Sequence, residues 1–387
     1  MKSFLATYSD NCKGYRKPTA KCPSYKHCST NLLPTTQKYK HTEKGTETSA
    51  IRLLLAQFSP PIHRDANCPP PIFAVLFTAD VLMVPTLSIY VAPKTVFAAV
   101  ISAGTKGARL DAVGVVHRKT PEQFPWQELR AQLESAQWDN VVLVLDTNEA
   151  AIASFPIEQD SPPIMIRELL ELEVIQQFLS SPSEGYTADV YRIGPDAEGR
   201  WHACAVCRLR QHSQLIGSLE EALGMPVRLT AALIATIAGF EYNYPEYITR
   251  RVGIALLSEQ TLDFAVVYNR SVLFWAWAPA DHSPHSSLQR LIRQALFHCG
   301  ELTTVFVAGP SLTRQLYEHF QTAFEGRFAE PPAPLDAFRM AECGLHQTLC
   351  SAVAPLGHLF APAFGAALQQ YYLSPDWTFS AEEEVPL

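Results

Sequence analysis

One succession of elements occurs twice in this chain, and a duplication of that size limits the fold more than any single motif does. Arg251 to Pro279 reads as three short strands, Val252–Leu257, Leu262–Tyr268 and Val272–Ala278. Ser258-Glu259-Gln260 makes the first turn between them and Asn269-Arg270 the second. The segments are apolar, β-branched or aromatic at most positions and of strand length, which predicts a meander. Its last strand is apolar on both faces (Val272 and Phe274 against Leu273, Trp275 and Trp277), so it is expected to be covered on both sides within a larger sheet. A helix (Leu288, Leu291, Ile292, Ala295, Leu296), a strand (Thr304–Val307) and a helix (Leu312, Leu316, Phe320, Phe324) capped by Ser311 follow.

The same order appears upstream. Leu87–Ala92 and Thr95–Ile101 flank the turn Pro93-Lys94, and Arg109–Val116 follows the loop Gly104-Thr105-Lys106-Gly107. A helix starts near Pro125 with Trp126, Leu129, Leu133 and Ala136 on one face, and Val141–Leu145 is the next strand. Between the two units lies a different pattern: a helix over Ile164–Leu179, a hairpin of Ala188–Ile193 and Trp201–Leu209 around a Pro195–Gly199 turn, a helix over Gln211–Leu223 ended by Gly224, and the short strand Val227–Leu229. Ala231–Phe240 is an apolar helix leading back to the second unit. The predicted organisation is an N-terminal extension (1–82), a first core unit (83–155), an inserted α+β subdomain (156–228), and a connecting helix with a second core unit (229–387).

Charge separates the extension from the rest. The chain of 387 residues carries a net charge of −7, yet residues 1–82 hold eleven Lys and Arg against five Asp and Glu. They show no helix or strand period. A basic arm for nucleic acid or anionic lipid is one reading, but no aromatic interleaving or amphipathic stripe supports it. A signal peptide is disfavoured because Asn11–Lys17 interrupts the apolar core it would need. Ile72–Leu82 is too short to span a bilayer and contains Asp80. The remaining readings are disorder, or that Met83 is the true start, which its position just before the first strand favours.

Four of the nine cysteines lie in residues 1–82, and the remaining five are not expected to make a disulfide framework. Cys204-Ala-Val-Cys207 has redox or zinc spacing but falls on a strand, where residues three apart face opposite sides, and no second pair completes four ligands. A reducing, cytoplasmic compartment follows. Asp281-His282-Ser283-Pro284-His285 lacks a third metal ligand and reads as a loop. Trp275 and Trp277 share a strand face and suit core packing, or an edge groove that receives a partner.

Two units of three meander strands, helix and strand, with a helix-hairpin-helix-strand insertion before the second, resemble the actin-like (ribonuclease H-like) ATPase fold. The insertion's position resembles FtsA and, more closely, the PilM family of type IV pilus assembly proteins. Val307-Ala308-Gly309-Pro310-Ser311-Leu312 sits where that family carries a glycine-rich adenosine loop, and Ala363-Phe364-Gly365-Ala366-Ala367-Leu368 resembles its closing helix.

The nucleotide motifs, by contrast, are degenerate. In these ATPases each meander's first turn cradles phosphate through Asp-x-Gly, so that backbone N–H groups approach the anion and the carboxylate positions a hydrated metal. In the first unit Tyr90 takes the Asp position and Ala92 the Gly position, and Pro93 removes a donor. In the second, Gly253 replaces the Asp, Ala255 replaces the Gly, and the turn is one residue longer. The adenosine loop keeps Gly309 alone. Between Pro279 and the following strand there is room for one helix, where the family has a whole subdomain closing the cleft.

The resemblance therefore implies a vestigial cleft at Lys94 and Thr95, Ser258 and Thr261, and Gly309, with no catalytic or metal-ligating residues and no cofactor beyond vestigial ATP binding. It implies a non-hydrolysing cytoplasmic scaffold of a type IV pilus or type II secretion assembly at the inner membrane. In the family, the tail of a PilN-like membrane protein is held beside the inserted subdomain. Membrane contact would then come through that partner alone, and nucleic acid is not expected. A divergent ATPase or sugar kinase of the same superfamily is the rival, weakened because neither phosphate turn supplies an acid. A filament-forming relative is a third reading, which the missing subdomain disfavours.

Overall fold

In the computed structural model the described residues are 84–120, 124–179, 184–195, 199–280, 284–369, 373 and 375–381. The extension over residues 1–82, Met83, and the Asp281–Ser283 part of the histidine motif lie outside them.

The duplication is real. Strands β1 (Thr86–Val91), β2 (Thr95–Ala103) and β3 (Ala108–His117) form an antiparallel meander, and β4 (Asn140–Leu145) returns parallel to β1 after helix α1 (Trp126–Gln132). In the second unit β9 (Val252–Leu257), β10 (Thr261–Tyr268) and β11 (Ser271–Pro279) repeat the meander, and β12 (Thr304–Ala308) runs parallel to β9 after helix α5 (Pro284–Cys299). The β10–β11 turn places Asn269 and Arg270 at φ of 50° and 59°, the pair of left-handed residues that a two-residue hairpin matched to strand twist requires.

Helix α4 (Ala232–Asn243) is buried along its whole length and packs against α8 (Ala361–Leu368) between the two sheets. The close approach depends on glycine. A Cβ at Gly365 would lie 1.8 Å from the Ala235 carbonyl oxygen, and one at Gly239 would lie 3.2 Å from the Gly365 Cα. The outer face of the first sheet is covered by α1 and by α3 (Ser213–Leu223), through Trp126, Leu129, Ile216 and Leu219. The outer face of the second sheet is covered by α5 and by α6 (Arg314–Ala323), through Leu288, Leu291, Ile292 and Phe320.

The structure revises several sequence expectations. Strand β8 (Val227–Ala231), expected to end the inserted segment, pairs parallel with β4 and completes the first core sheet. A strand without a clear sequence signal, β5 (Ala151–Ile157), joins β6 (Thr187–Pro195) and β7 (Trp201–Arg208) in a separate sheet covered by α2 (Pro163–Gln177). The C-terminal β15 (Trp377–Ser380) adds to its β6 edge. β11 is the edge of its sheet yet is covered on both faces as expected, with Val272 and Trp275 against the inner core and Leu273, Phe274 and Ala276 against the outer one. Thr313, not Ser311, caps α6: its hydroxyl accepts from the Leu316 N–H. Cys204 and Cys207 are buried in different cores, as expected of strand neighbours three apart. Cys343 and Cys350, however, form a disulfide, because β14 (Glu342–Cys343) and α7 (Gln347–Val353) bring two cysteines seven apart to a Cα separation of 6.3 Å. Among the described residues no single helix is long and apolar enough to cross a membrane.

Candidate functional site

The two meander turns face each other, and each is closed by the same bond. The Ala92 N–H donates to the Thr95 carbonyl and the Ser258 N–H to the Thr261 carbonyl, both at 2.9 Å. The shared bond sets the register between the units. Ser258 stands where Ala92 stands and Leu256 where Tyr90 stands, so the sequence placement on Gly253 and Ala255 was three residues off, and the second turn is not longer. Gly253 has a packing role instead: a Cβ there would meet Phe264 at 2.7 Å and Val305 at 2.9 Å. Neither turn carries an aspartate at the equivalent of Tyr90.

Of the five residues assigned to the cleft, four are drawn toward it or its rim. Lys94 Nζ lies 3.7 Å from Glu259 Oε2 and so bridges the two turns. Beside it, Asn148 Nδ2 donates to Gln260 Oε1 at 2.8 Å. Ser258 and Thr261 are buried, and the Ser258 hydroxyl accepts from the Gln260 and Thr261 N–H groups at 3.1 Å each. Gly309 follows β12 at φ 109°, where a Cβ would lie 2.2 Å from the Leu257 carbonyl oxygen. Its N–H donates to the His358 carbonyl, and the Ser311 N–H donates to Leu257. Thr95 alone turns outward, with Oγ1 3.3 Å from His117 Nδ1. The donors of Ala92, Ser258, Gln260, Thr261, Gly309 and Ser311 are thus all spent inside the chain, where phosphate-binding loops leave donors free for the anion.

Beneath the turns lie two acids that the motif comparison missed, since it looked for carboxylates on the turns themselves. Asp146 follows β4 and Asp263 sits within β10, each about 1% exposed. Tyr90 donates to Asp146 Oδ1 at 2.5 Å, and Asp146 also hydrogen-bonds Ser258 of the other unit. Asp263 accepts from Thr261 of its own strand at 3.3 Å, and the Thr147 hydroxyl of the first unit is buried without a hydrogen-bond partner. Asp146 thus reaches a hydroxyl across the divide, whereas Asp263 is bonded within its own strand. Burial pushes Asp146 up to about 6 against the opposing effect of its Tyr90 and Ser258 bonds. Burial, reinforced by the Asp146 charge, pushes Asp263 up to about 7. Asp146 Oδ2 and Asp263 Oδ1 are buried without a hydrogen-bond partner. The sequence did hold a signal for both: a lone carboxylate in or directly after an otherwise apolar strand, VVLVLD and TLDFAVV. No group of three or more His, Cys, Asp or Glu able to hold a metal occurs among the described residues.

A second concavity, a shallow crevice enclosing about 20 Å³, lies between the first core sheet and the inserted subdomain. Asp189, Tyr191, Arg228 and Gln369 are among its lining residues. Thr230 Oγ1 donates to Gln369 Oε1 at 2.7 Å and Gln369 Nε2 donates to the Tyr191 hydroxyl, so its floor is a fixed polar network. Arg228 is exposed at its rim.

No protein-family model matches the chain. No curated protein matches it. Solved structures do. The PilM–PilN type IV pilus biogenesis complex aligns with a TM-score of 0.58 at 11% identity, covering 74% of this chain and 98% of that one. A Bacteroides thetaiotaomicron protein with actin-like ATPase fold and unknown function aligns at a TM-score of 0.43 and 10% identity, covering 67% and 95%. The cytoplasmic domain of EpsL, an inner membrane component of the type II secretion system of Vibrio cholerae, aligns at 0.40 and 15%, covering 66% and 92%. The fold is the actin-like ATPase fold, with an inserted small subdomain as the sequence predicted.

Proposed function

We propose that this actin-like chain is a non-hydrolysing scaffold of a type IV pilus or type II secretion assembly, holding the cytoplasmic tail of a PilN-like inner-membrane protein. The observation that carries the first half is the spent donors of the cleft. A triphosphate needs several free N–H groups and a flexible cationic side chain. Here Ser258 caps its own turn, Gly309 and Ser311 are bonded into the surrounding backbone, and Lys94 is paired with Glu259. Binding a nucleotide would require breaking these contacts first, so vestigial binding is the most the cleft supports.

The second half rests on the shared fold with the PilM–PilN complex and on the crevice beside the inserted subdomain. A short tail laid in such a groove buries little area, and micromolar affinity is the expected order. The chain would sit at the inner face of the inner membrane through that partner.

A second reading, a divergent ATPase or sugar kinase, is favoured by one observation. Asp146 and Asp263 lie directly under the turns with an oxygen each unpartnered, a pair of the kind that positions a hydrated metal beside phosphate. Thermal melting with ATP, with and without magnesium, separates the two readings, because a ligand that binds the folded state raises Tm by mass action. The scaffold reading expects no shift at low millimolar ATP and no phosphate release. A magnesium-dependent rise of several degrees would overturn it in favour of the enzyme.

A further inference from the structure

Helix α2 is apolar on two opposite sides. Ile166, Leu170 and Val174 are buried against the sheet of the inserted subdomain. At 100° per residue, Ile164, Met165, Leu172 and Ile175 fall on the other side, within one arc of roughly 100° that spans three turns, about 17 Å. They are 56%, 44%, 57% and 38% exposed and make up most of the large exposed apolar side chains among the described residues. A helix with one buried stripe covers its needs with one sheet; a second stripe asks for a second cover.

The charges on that face say what kind of cover it is. Glu168 is exposed in the middle of the stripe and Glu171 stands at its edge. The helix carries one cation, Arg167, and it is held inward by Glu171 at 3.3 Å and by the Ser380 carbonyl of β15. A second copy meeting this face about a two-fold axis, with Ile164 opposite Ile175, would set Glu168 against the partner's Glu171 and the reverse. Like charges so placed disfavour self-pairing.

We infer that the outer face of α2 is a docking surface for a basic amphipathic helix of another protein, with aliphatic anchors at i and i+7 and Lys or Arg opposite Glu168 and Glu171. Two helices packed through such stripes bury their apolar rows and pair these charges at the rim. The surface lies on the outer side of the inserted sheet and is independent of the function proposed above.

The test uses the full chain and two synthetic 18-residue helical peptides with leucine at the anchor positions, one with lysine and the other with glutamate at the flanking positions. Fluorescence anisotropy is expected to show saturable binding of the lysine peptide alone. Leu172→Asp with Ile175→Asp, both on the exposed side of the helix and so at small cost to folding, should weaken it by at least about tenfold, as removal of central anchors does. Glu168→Lys should weaken the lysine peptide and admit the glutamate one. Equal binding of the two peptides, or lysine-peptide binding unmoved by the double substitution, would overturn the inference. So would sedimentation showing a dimer that Leu172→Asp converts to monomer, which would assign the face to a second copy.

Discussion

Asp146 and Asp263 set the chemistry of the molecule's centre, and they do so by being nearly inaccessible. A carboxyl whose pKa is raised on folding holds its proton more tightly in the folded chain than in the unfolded one. Between the unfolded value near 4 and the folded values of about 6 and 7, the folded state therefore binds more protons. Stability contributed by keeping these two carboxyls protonated is present at the acid end of that window, falls as pH rises through it, and levels off above about pH 7. A tenfold change in proton affinity is worth about 1.4 kcal/mol, so the two acids together cost on the order of a few kcal/mol at pH 8. Urea melts from pH 4.5 to 8 are expected to show the wild-type midpoint falling with pH, against the usual acid denaturation of paired carboxylates. In Asp263→Asn, which keeps the shape and removes the titration, the fall should be smaller and the pH 8 midpoint higher than wild type. A midpoint that instead rises across this range in the wild type, or an Asp263→Asn variant less stable at pH 8, would mean that the carboxylates are compensated by a cation.

The elements were legible to the degree that each carried its own period. The two meanders, α4, α5 and the β6–β7 hairpin stand where alternation and helical spacing put them. β5 was missed because Pro156 and the small residues of AIASFPI hide a strand whose alternate positions are buried only once β7 pairs with it. β8 was assigned to the wrong sheet because sequence order says nothing about pairing across an insertion, and the second turn was misaligned because Gly253 looked like a motif glycine while serving packing. Gly365 belongs to the same class: its motif resemblance was visible, but its reason is the helix crossing at Ala235. Gly365→Ala is expected to destabilise the chain by several kcal/mol, since α4 and α8 would have to move apart. Gly217→Ala in α3, with nothing within 4 Å of the added carbon, should instead stabilise by about 0.5–1 kcal/mol, and chemical denaturation of the pair measures both.

On the scale of the whole molecule, two equivalent units share one inner core, and the inserted subdomain is stitched into the first of them from both ends. β8 completes the sheet begun by β1, Tyr191 and Cys204 contribute to the first unit's outer core, and β15 returns to close the inserted sheet. Excising residues 160–228 would remove the first two residues of the core strand β8 and report on folding as much as on binding. A point change at the crevice rim separates the two. Arg228 is exposed on β8 at the mouth of the crevice, so Arg228→Glu reverses the local charge and leaves the Tyr191–Gln369–Thr230 network beneath it intact. If the crevice holds the tail of a membrane protein, wild type should co-fractionate with membranes of cells that supply that partner. Arg228→Glu should then shift to the soluble fraction with its Tm unchanged to within about a degree, since surface substitutions away from packed features move stability by no more than about 0.5 kcal/mol. Leu172→Asp on α2 should leave this partition untouched, because it lies on the far side of the inserted sheet. Equal membrane recovery of wild type and Arg228→Glu would place the tail elsewhere, and loss on Leu172→Asp alone would transfer the membrane role to α2.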